Sequence, residues 1–244
     1  MPQSSLIVGR QALIEAIQAG RSIDKIYFSR NVSGASIGDI RRLAKANRIP
    51  IQLVPPEKLR SLTRAAHQGV VAQGALFSYL DLQQVIDQVV STGIAPLFVL
   101  LDGITDVRNV GAIARTALCC GAQALVLPSK GMAALNEDAL KTSAGALAVL
   151  QLCRVSSLPV AIALLRLNGI LVYASAMDGS QPVFELDYRL PCCLVFGSEE
   201  KGVQSGIRQS ADSTARIPMA GSFNSFNVSV AAGIFLYEAM KQRG

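Results

Sequence analysis

The chain contains no tryptophan and a single histidine, His67, among its 244 residues. That scarcity leaves no multi-histidine metal centre and no histidine-based triad without heavy borrowing from carboxylates. Its five cysteines, Cys119, Cys120, Cys153, Cys192 and Cys193, include no CxxC spacing. They lie in apolar stretches and read as buried free thiols in a reducing compartment, not as a disulfide framework or a structural zinc site. There is no GxGxxG fingerprint, which disfavours a nicotinamide or flavin site. The N-terminal stretch lacks a basic segment followed by a long apolar one, so no secretory signal is expected and the chain reads as cytoplasmic. Repeats and low-complexity tracts are absent. Ile217 to Tyr237 is free of charge and long enough to span a bilayer, but Pro218, Gly221, Asn224 and Asn227 would be costly in lipid, so a membrane span is not expected.

What is present is apolar mass and an uneven charge. Half of the residues are hydrophobic and the mean hydropathy is +0.37, ample for a large core in one or two domains. The net charge of +6 is not shared evenly. Residues 1–78 hold eleven Lys/Arg against four Asp/Glu, a balance of +7; residues 79–244 hold twelve against thirteen, a balance of −1. A basic first segment suits docking on a polyanion, the plainer reading being a solvated basic surface.

Periodicity divides the chain at about residues 78–95. Before that point helical and strand patterns alternate: a helix over "RQALIEAIQAG", a strand at "DKIYFS", a helix over "IGDIRRLAKANRI", a strand at "IQLVP", a short helix over "EKLRSLTRAA" and a strand at "QGVVAQGALF". Together these predict a small α/β domain over 1–78, with Arg41, Arg42 and Lys45 on the helix face best suited to nucleic acid. Residues 79–95 read as a linker and first helix. Over 96–244 near-continuous apolar strands at "LFVLLDG", "ALVLP", "CRVS", "ILVYASA", "CCLVFGS" and "ARIPM" alternate with helices, including single helices over "NEDALKTSAGALAVL" and "SFNVSVAAGIFLYEAMKQR". Such strands belong to a buried, mostly parallel sheet, whose ligands gather at the carboxyl ends of the strands.

Three strand ends stand out. In "LLDGITDVRNVGAIARTA" a strand closes on Asp102-Gly103, Asn109 is placed to cap the next helix, and Arg115 lies six residues on. In "LVFGSEEKGV" an apolar strand runs into Gly197, two carboxylates and Gly202. In "IPMAGSFNSFNVSVA" three serines and two asparagines fall within Ser222 to Ser229, in an otherwise apolar stretch. Each buried polar group left unpaired would cost roughly 1–3 kcal/mol, and one helix cap accounts for one or two of the five. Taken singly the first two motifs are an ordinary strand–loop–helix and a solvated turn; three such loops on one sheet edge point to a site.

Taken in register over residues 97–244, "NVGAIARTA", "FGSEEKGV" and "IPMAGSFNSFNVSVA" resemble the three motifs of the SpoU (SPOUT) class of RNA 2′-O-ribose methyltransferases. The basic first segment, with its "HQGVVA" ending, is similar to the ribosomal-protein-like RNA-binding domain of the 23S rRNA guanosine members. Three positions depart from the family pattern: Val107 stands for a frequent proline, Glu200 for a glycine and Phe226 for a leucine.

The resemblance implies an α/β catalytic domain with a trefoil knot, a rare exception to chain topology. It implies S-adenosylmethionine as methyl donor, ribosomal RNA as substrate, and a homodimer whose sites draw on both subunits. It also implies roles. Arg115 acts on the 2′-hydroxyl; a guanidinium stays protonated, so lowering the hydroxyl's pKa and stabilising alkoxide charge suit it better than base catalysis. Asn109 orients Arg115 or the ribose, Glu199 holds Arg115 or Asn109 in place, and Ser225 and Asn227 position ribose and loop. Gly197, Ile217, Met219 and Phe226 line the cofactor pocket. The alternatives are the same reaction on tRNA and a non-catalytic RNA-binding ribosome-assembly factor.

Overall fold

The structure, a computed structural model, describes residues 6–132, 135–221 and 225–244. It divides into two compact units at Ser78/Tyr79.

The first unit runs β1 (Leu6–Val8), α1 (Arg10–Gln18), β2 (Ile23–Ser29), α2 (Ala35–Ala46), β3 (Ile51–Val54), α3 (Pro56–Leu62) and β4 (Val70–Gly74). Its sheet has the order β1-β4-β2-β3, with β4 antiparallel to both neighbours and β3 parallel to β2. The helical spacing seen in the sequence is the buried stripe: Leu13, Ala16 and Ile17 of α1, and Ile37, Ile40 and Ala44 of α2, join Ile26 and Phe28 of β2 in one core. The opposite face of α2 presents Arg41, Arg42 and Lys45 to solvent. The helix expected over residues 57–66 stops at Leu62, where Thr63 turns extended (φ −156°).

The second unit comprises α4 (Leu82–Ser91), β5 (Leu97–Asp102), α5 (Val107–Cys119), β6 (Ala124–Pro128), α6 (Glu137–Thr142), β7 (Gln151–Val155), α7 (Leu158–Leu167), β8 (Leu171–Ser175), β9 (Gln181–Pro182), β10 (Cys192–Gly197), α8 (Ser205–Ser210), β11 (Ser213–Arg216) and α9 (Val228–Arg243). Among the described residues the sheet order is β7-β6-β5-β10-β8-β11-β9, and every adjacent pair is parallel. All six residues of β5 and of β10 are buried, as their unbroken apolar runs require of strands covered on both faces. Leu82, Val85, Ile86 and Val89 place α4 inside this unit's core. No helix among the described residues is long and apolar enough to cross a membrane.

Three expected elements differ. The single helix over residues 136–150 is broken: α6 ends at Thr142, Ala144 and Gly145 take positive φ (49° and 89°), and a 3-10 turn follows over Ala146–Ala148. The strand at "ARIPM" stops at Arg216, because its edge partner β9 is only two residues long and Pro218 has no N–H to give. Of the cysteines, Cys153, Cys192 and Cys193 are buried, but Cys119 is exposed at the last turn of α5.

The C-terminal helix is fastened at both ends. Buried Ala232, Phe235, Leu236 and Ala239 face the sheet, and the ring of Phe235 meets Phe196 of β10 edge-on at 5.6 Å. At its far end the Arg243 guanidinium donates to the carbonyl oxygens of Tyr188 (2.7 Å), Ala95 (2.5 Å), Pro96 (2.9 Å) and Leu190 (3.0 Å), gathering the chain just before β5 and β10. Arg243→Ala should therefore lower unfolding free energy by about 2–4 kcal/mol, since several carbonyls lose a charged donor together. Urea denaturation of the two proteins measures this, and a loss under about 1 kcal/mol would show that the fastening is incidental.

Candidate active site

Because β5, β10 and β11 run parallel, the three loops singled out in the sequence leave the sheet at one edge. Their placement is set by a few local constraints. Asp102 closes β5 and is 2% exposed. Its two carboxylate oxygens accept from the backbone N–H (2.8 Å) and side-chain amide (2.5 Å) of Gln204, so the end of β5 is tied to the loop that follows β10. Asn109 does not cap α5. That position belongs to Asp106, whose carboxylate accepts from the Arg108 N–H at 2.9 Å, and the Arg108 guanidinium beside it holds the Asp106 carboxyl below the usual carboxylate range. Asn109 is the third residue of α5, and its side chain reaches across to the β10 loop.

That loop doubles back on itself. The Gly202 N–H donates to the Ser198 carbonyl at 2.8 Å, the two residues form a bridge, and Gly202 takes φ +64°. A Cβ on Gly197 would lie 2.0 Å from the Gly202 carbonyl carbon, so only glycine fits there. The reversal brings Glu199 to two asparagines. Its Oε1 accepts from Asn109 Nδ2 at 3.1 Å and, at closer range, from Asn227 Nδ2. Asn227 also donates to Asn109 Oδ1 at 3.2 Å. Asn227 is the N-cap of α9: its Oδ1 accepts from the Ser229 N–H (2.9 Å) and hydroxyl (2.6 Å). The cap thereby settles which way the amide points, because an oxygen facing Ser229 leaves the NH₂ group facing Glu199.

Two cavities meet on the reversed loop, and residues 198–202 line both. One, of about 190 Å³, is walled by Gly197, Ile217, Met219, Ser225, Phe226 and Val228. Met219 and Phe226 remain 38% and 43% exposed, an open apolar lining. At its rim Asp178 and Arg208 pair at 2.7 Å, which lowers the Asp178 carboxyl's pKa. The other cavity, of about 490 Å³, is lined by Asp102, Thr105, Asp106, Asn109 and Gln204.

Of the residues expected to form a site, Asn109, Glu199 and Asn227 are brought into one hydrogen-bonded cluster. Gly197, Ile217, Met219, Ser225 and Phe226 line the smaller cavity. Arg115 is not joined to either group: it is exposed on α5 and has no ion-pair partner among the described residues. In the polar run from residue 222 to 229, Ser222 and Asn224 lie outside the described residues, while Asn227 and Ser229 satisfy each other. In the first unit the Arg41 guanidinium sits 5.2 Å from the Phe28 ring centroid, Arg42 pairs with Asp39 at 3.0 Å, and Lys45 is exposed. Sequence reasoning missed Asp102 and Gln204. The one available signal was an aspartate closing a fully apolar strand.

Comparison with known proteins identifies the family. Residues 96–237 match the SpoU rRNA methylase family, and residues 6–80 match the family described as RNA 2′-O ribose methyltransferase substrate binding. A protein of Staphylococcus saprophyticus, named for the TrmH family of tRNA/rRNA methyltransferases, is 34% identical over 98% of this chain and 96% of its own length. A Bacillus subtilis protein named for the same family is 32% identical over 99% and 97%. Among solved structures, the SpoU methyltransferase AviRb from Streptomyces viridochromogenes, in complex with AdoMet, superposes with a TM-score of 0.63 at 27% identity, covering 98% of this chain and 90% of that one. An AdoMet-bound rRNA methyltransferase from Sinorhizobium meliloti gives 0.62 at 25% identity, covering 98% and 87%. The chain belongs to the SpoU rRNA methylase family and is an RNA methyltransferase.

The Gly197–Gly202 contact yields a direct test. Gly197→Ala should destabilise the protein by about 1–3 kcal/mol and displace the loop that carries Glu199. Thermal unfolding of the variant measures the first effect. A variant as stable as the parent would mean that the loop yields freely.

Proposed function

We propose that the protein transfers a methyl group from S-adenosylmethionine to a ribose 2′-hydroxyl, with a guanosine of 23S ribosomal RNA as target, and that it works as a homodimer in the cytoplasm. The observation that carries the reading is the Asn109–Glu199–Asn227 cluster at the meeting point of two cavities, in a chain of this family.

The residues present fit the cofactor. The smaller cavity offers apolar side chains to an adenosine ring, with the Gly197 backbone and Ser225 as polar contacts and Glu200 as a countercharge to a sulfonium. When bound, the cofactor supplies an electrophilic methyl group. The chain has to hold a ribose in line with that methyl and manage the hydroxyl proton. Asn109 and Asn227, fixed by their shared acceptor, orient the ribose from the larger cavity. Arg115 supplies positive charge to the oxygen as it loses its proton. Its exposure, and the absence of an ion-pair partner among the described residues, suit a residue that completes the site of a second subunit. A dimer is further supported by the apolar surface where Phe184 meets Val230 and Tyr237 of α9, 56%, 49% and 60% exposed. A knotted path for the C-terminal segment is part of the same reading.

Ribosomal RNA is preferred over tRNA because of coverage. The Sinorhizobium meliloti rRNA enzyme matches 98% of this chain, whereas two structures named for tRNA modification match 66% and 61%. The tRNA reading keeps the support of the relatives' names, which give both substrates. Methylation assays with the two RNAs decide between them, and S-adenosylmethionine titration tests the non-catalytic alternative.

Two outcomes follow. Arg115→Ala should reduce kcat at least tenfold while S-adenosylmethionine affinity, measured by calorimetry, stays within a few-fold; retention of more than a tenth of kcat would remove Arg115 from the chemistry. Reversing the charges of Arg41, Arg42 and Lys45 should weaken RNA binding and flatten the slope of log K against log salt by about two to three units. Equal affinities and slopes in filter binding across several salt concentrations would mean that α2 does not face the RNA.

A further inference from the structure

We propose that Glu199 takes the proton of the ribose 2′-hydroxyl, through the carboxylate oxygen that the two asparagines leave free. The inference rests on the methyl transfer proposed above and assigns its proton acceptor.

Some group must receive that proton. The Arg115 guanidinium is already protonated and has no acceptor site, and the second unit contains no histidine. Carboxylates are the remaining candidates. A base also has to be held in place, since general-base catalysis needs the acceptor within hydrogen-bond reach of the proton it removes. Of the acids lining the two cavities, three are engaged elsewhere: Asp102 by Gln204, Asp106 by Arg108 and Asp178 by Arg208. Glu200 and Lys201 line both cavities, but no side-chain hydrogen bond fixes either among the described residues.

Glu199 is both held and free, and unlike Asp178 it lines both cavities. Its Oε1 accepts from Asn109 and Asn227, which pins the carboxylate from α5 on one side and from the cap of α9 on the other. Among the described residues its Oε2 accepts no hydrogen bond. The residue lines the smaller cavity, assigned to the methyl donor, and the larger one, assigned to the ribose. It therefore stands on the ridge between the two cavities, beside the place a hydroxyl must occupy to face both.

The step balances. The 2′-oxygen forms its bond to the methyl carbon as the carbon–sulfur bond breaks, with that electron pair remaining on sulfur. The hydroxyl proton passes to Glu199 Oε2 and is later released to solvent. The positive charge of Arg115 and the negative charge of Glu199 then play complementary parts, one favouring the alkoxide and the other removing its proton.

Glu199→Gln tests this cleanly, because the glutamine oxygen can still accept from both asparagines while its NH₂ group replaces the basic oxygen. Under single turnover with saturating S-adenosylmethionine and RNA, the rate should fall at least a hundredfold, with cofactor affinity by calorimetry within threefold. The acid limb of the wild-type pH–rate profile should vanish. Glu199→Asp should keep an acid limb, at reduced rate and with a shifted midpoint. The proposal is overturned if Glu199→Gln stays within tenfold of the parent rate, if its loss is explained by lost cofactor binding, or if Glu200→Gln carries the loss instead. Should Glu199→Gln fail to fold, Glu199→Asp decides: an acid limb with an unmoved midpoint means that another group titrates. If the parent protein moves no methyl to RNA at all, the underlying reading fails and not the assignment of the base.

Discussion

Two glycine backbones in contact at the end of β10 set the geometry on which the site depends. With Gly197 against Gly202 there is no room for a side chain, and the loop between them must reverse within four residues. That reversal presents Glu199 to α5 and to the start of α9 at once, and it leaves a single ridge, residues 198–202, between two cavities. A wider turn would separate the carboxylate from its asparagines and merge the two spaces. The buried Asp102 secures the same loop from its other side through Gln204, so the ridge is braced by hydrogen bonds as well as by close packing.

The second determinant is economy in Asn227. One side chain caps α9, accepts from Ser229 and donates to both Glu199 and Asn109. All of its side-chain hydrogen-bonding capacity is used, which answers the puzzle of polar residues in an apolar stretch for two of the five. Asn227 and Ser229 satisfy one another and the loops beside them. Ser225 and Asn227 are exposed, not buried as their apolar surroundings in the sequence suggested. The start of the C-terminal helix and the orientation of the carboxylate are therefore one structural fact. Helix formation and site assembly become coupled, and the fastening of the same helix by Arg243 extends that coupling to the far end of the sheet.

Much of this was legible in the sequence, for physical reasons that can be named. Unbroken apolar runs at β5 and β10 foretold strands buried on both faces, and parallel strands necessarily deliver their following loops to one edge. The stripes of α1 and α2 predicted which residues turn inward, and so which cations turn outward. Other features were not legible because nothing local marks them. Asn109 looked like a cap because it precedes an apolar helical run, yet Asp106 begins the helix three residues earlier. The break at Ala144 and Gly145 falls inside a stretch of good helix formers, and the end of β11 follows from the shortness of its neighbour. The bond between Asp102 and Gln204 joins positions far apart in sequence. Arg115 shows the limit most plainly, since it has no ion-pair partner among the described residues.

The position of β10 carries a consequence for how the chain reaches this state. It lies between β5 and β8, with Leu97 and Leu171 both opposite Cys192, although neither neighbour adjoins it in sequence. Until residues 192–197 arrive, β5 and β8 each expose an unpaired apolar edge, open to the wrong partner. Closing that gap joins segments distant along the chain, the kind of contact that slows folding because its entropy must be lost before the contact forms. The strand that shapes the catalytic loop is thus also the kinetic keystone of the sheet, and the nascent chain is most exposed to aggregation in the interval before it is set.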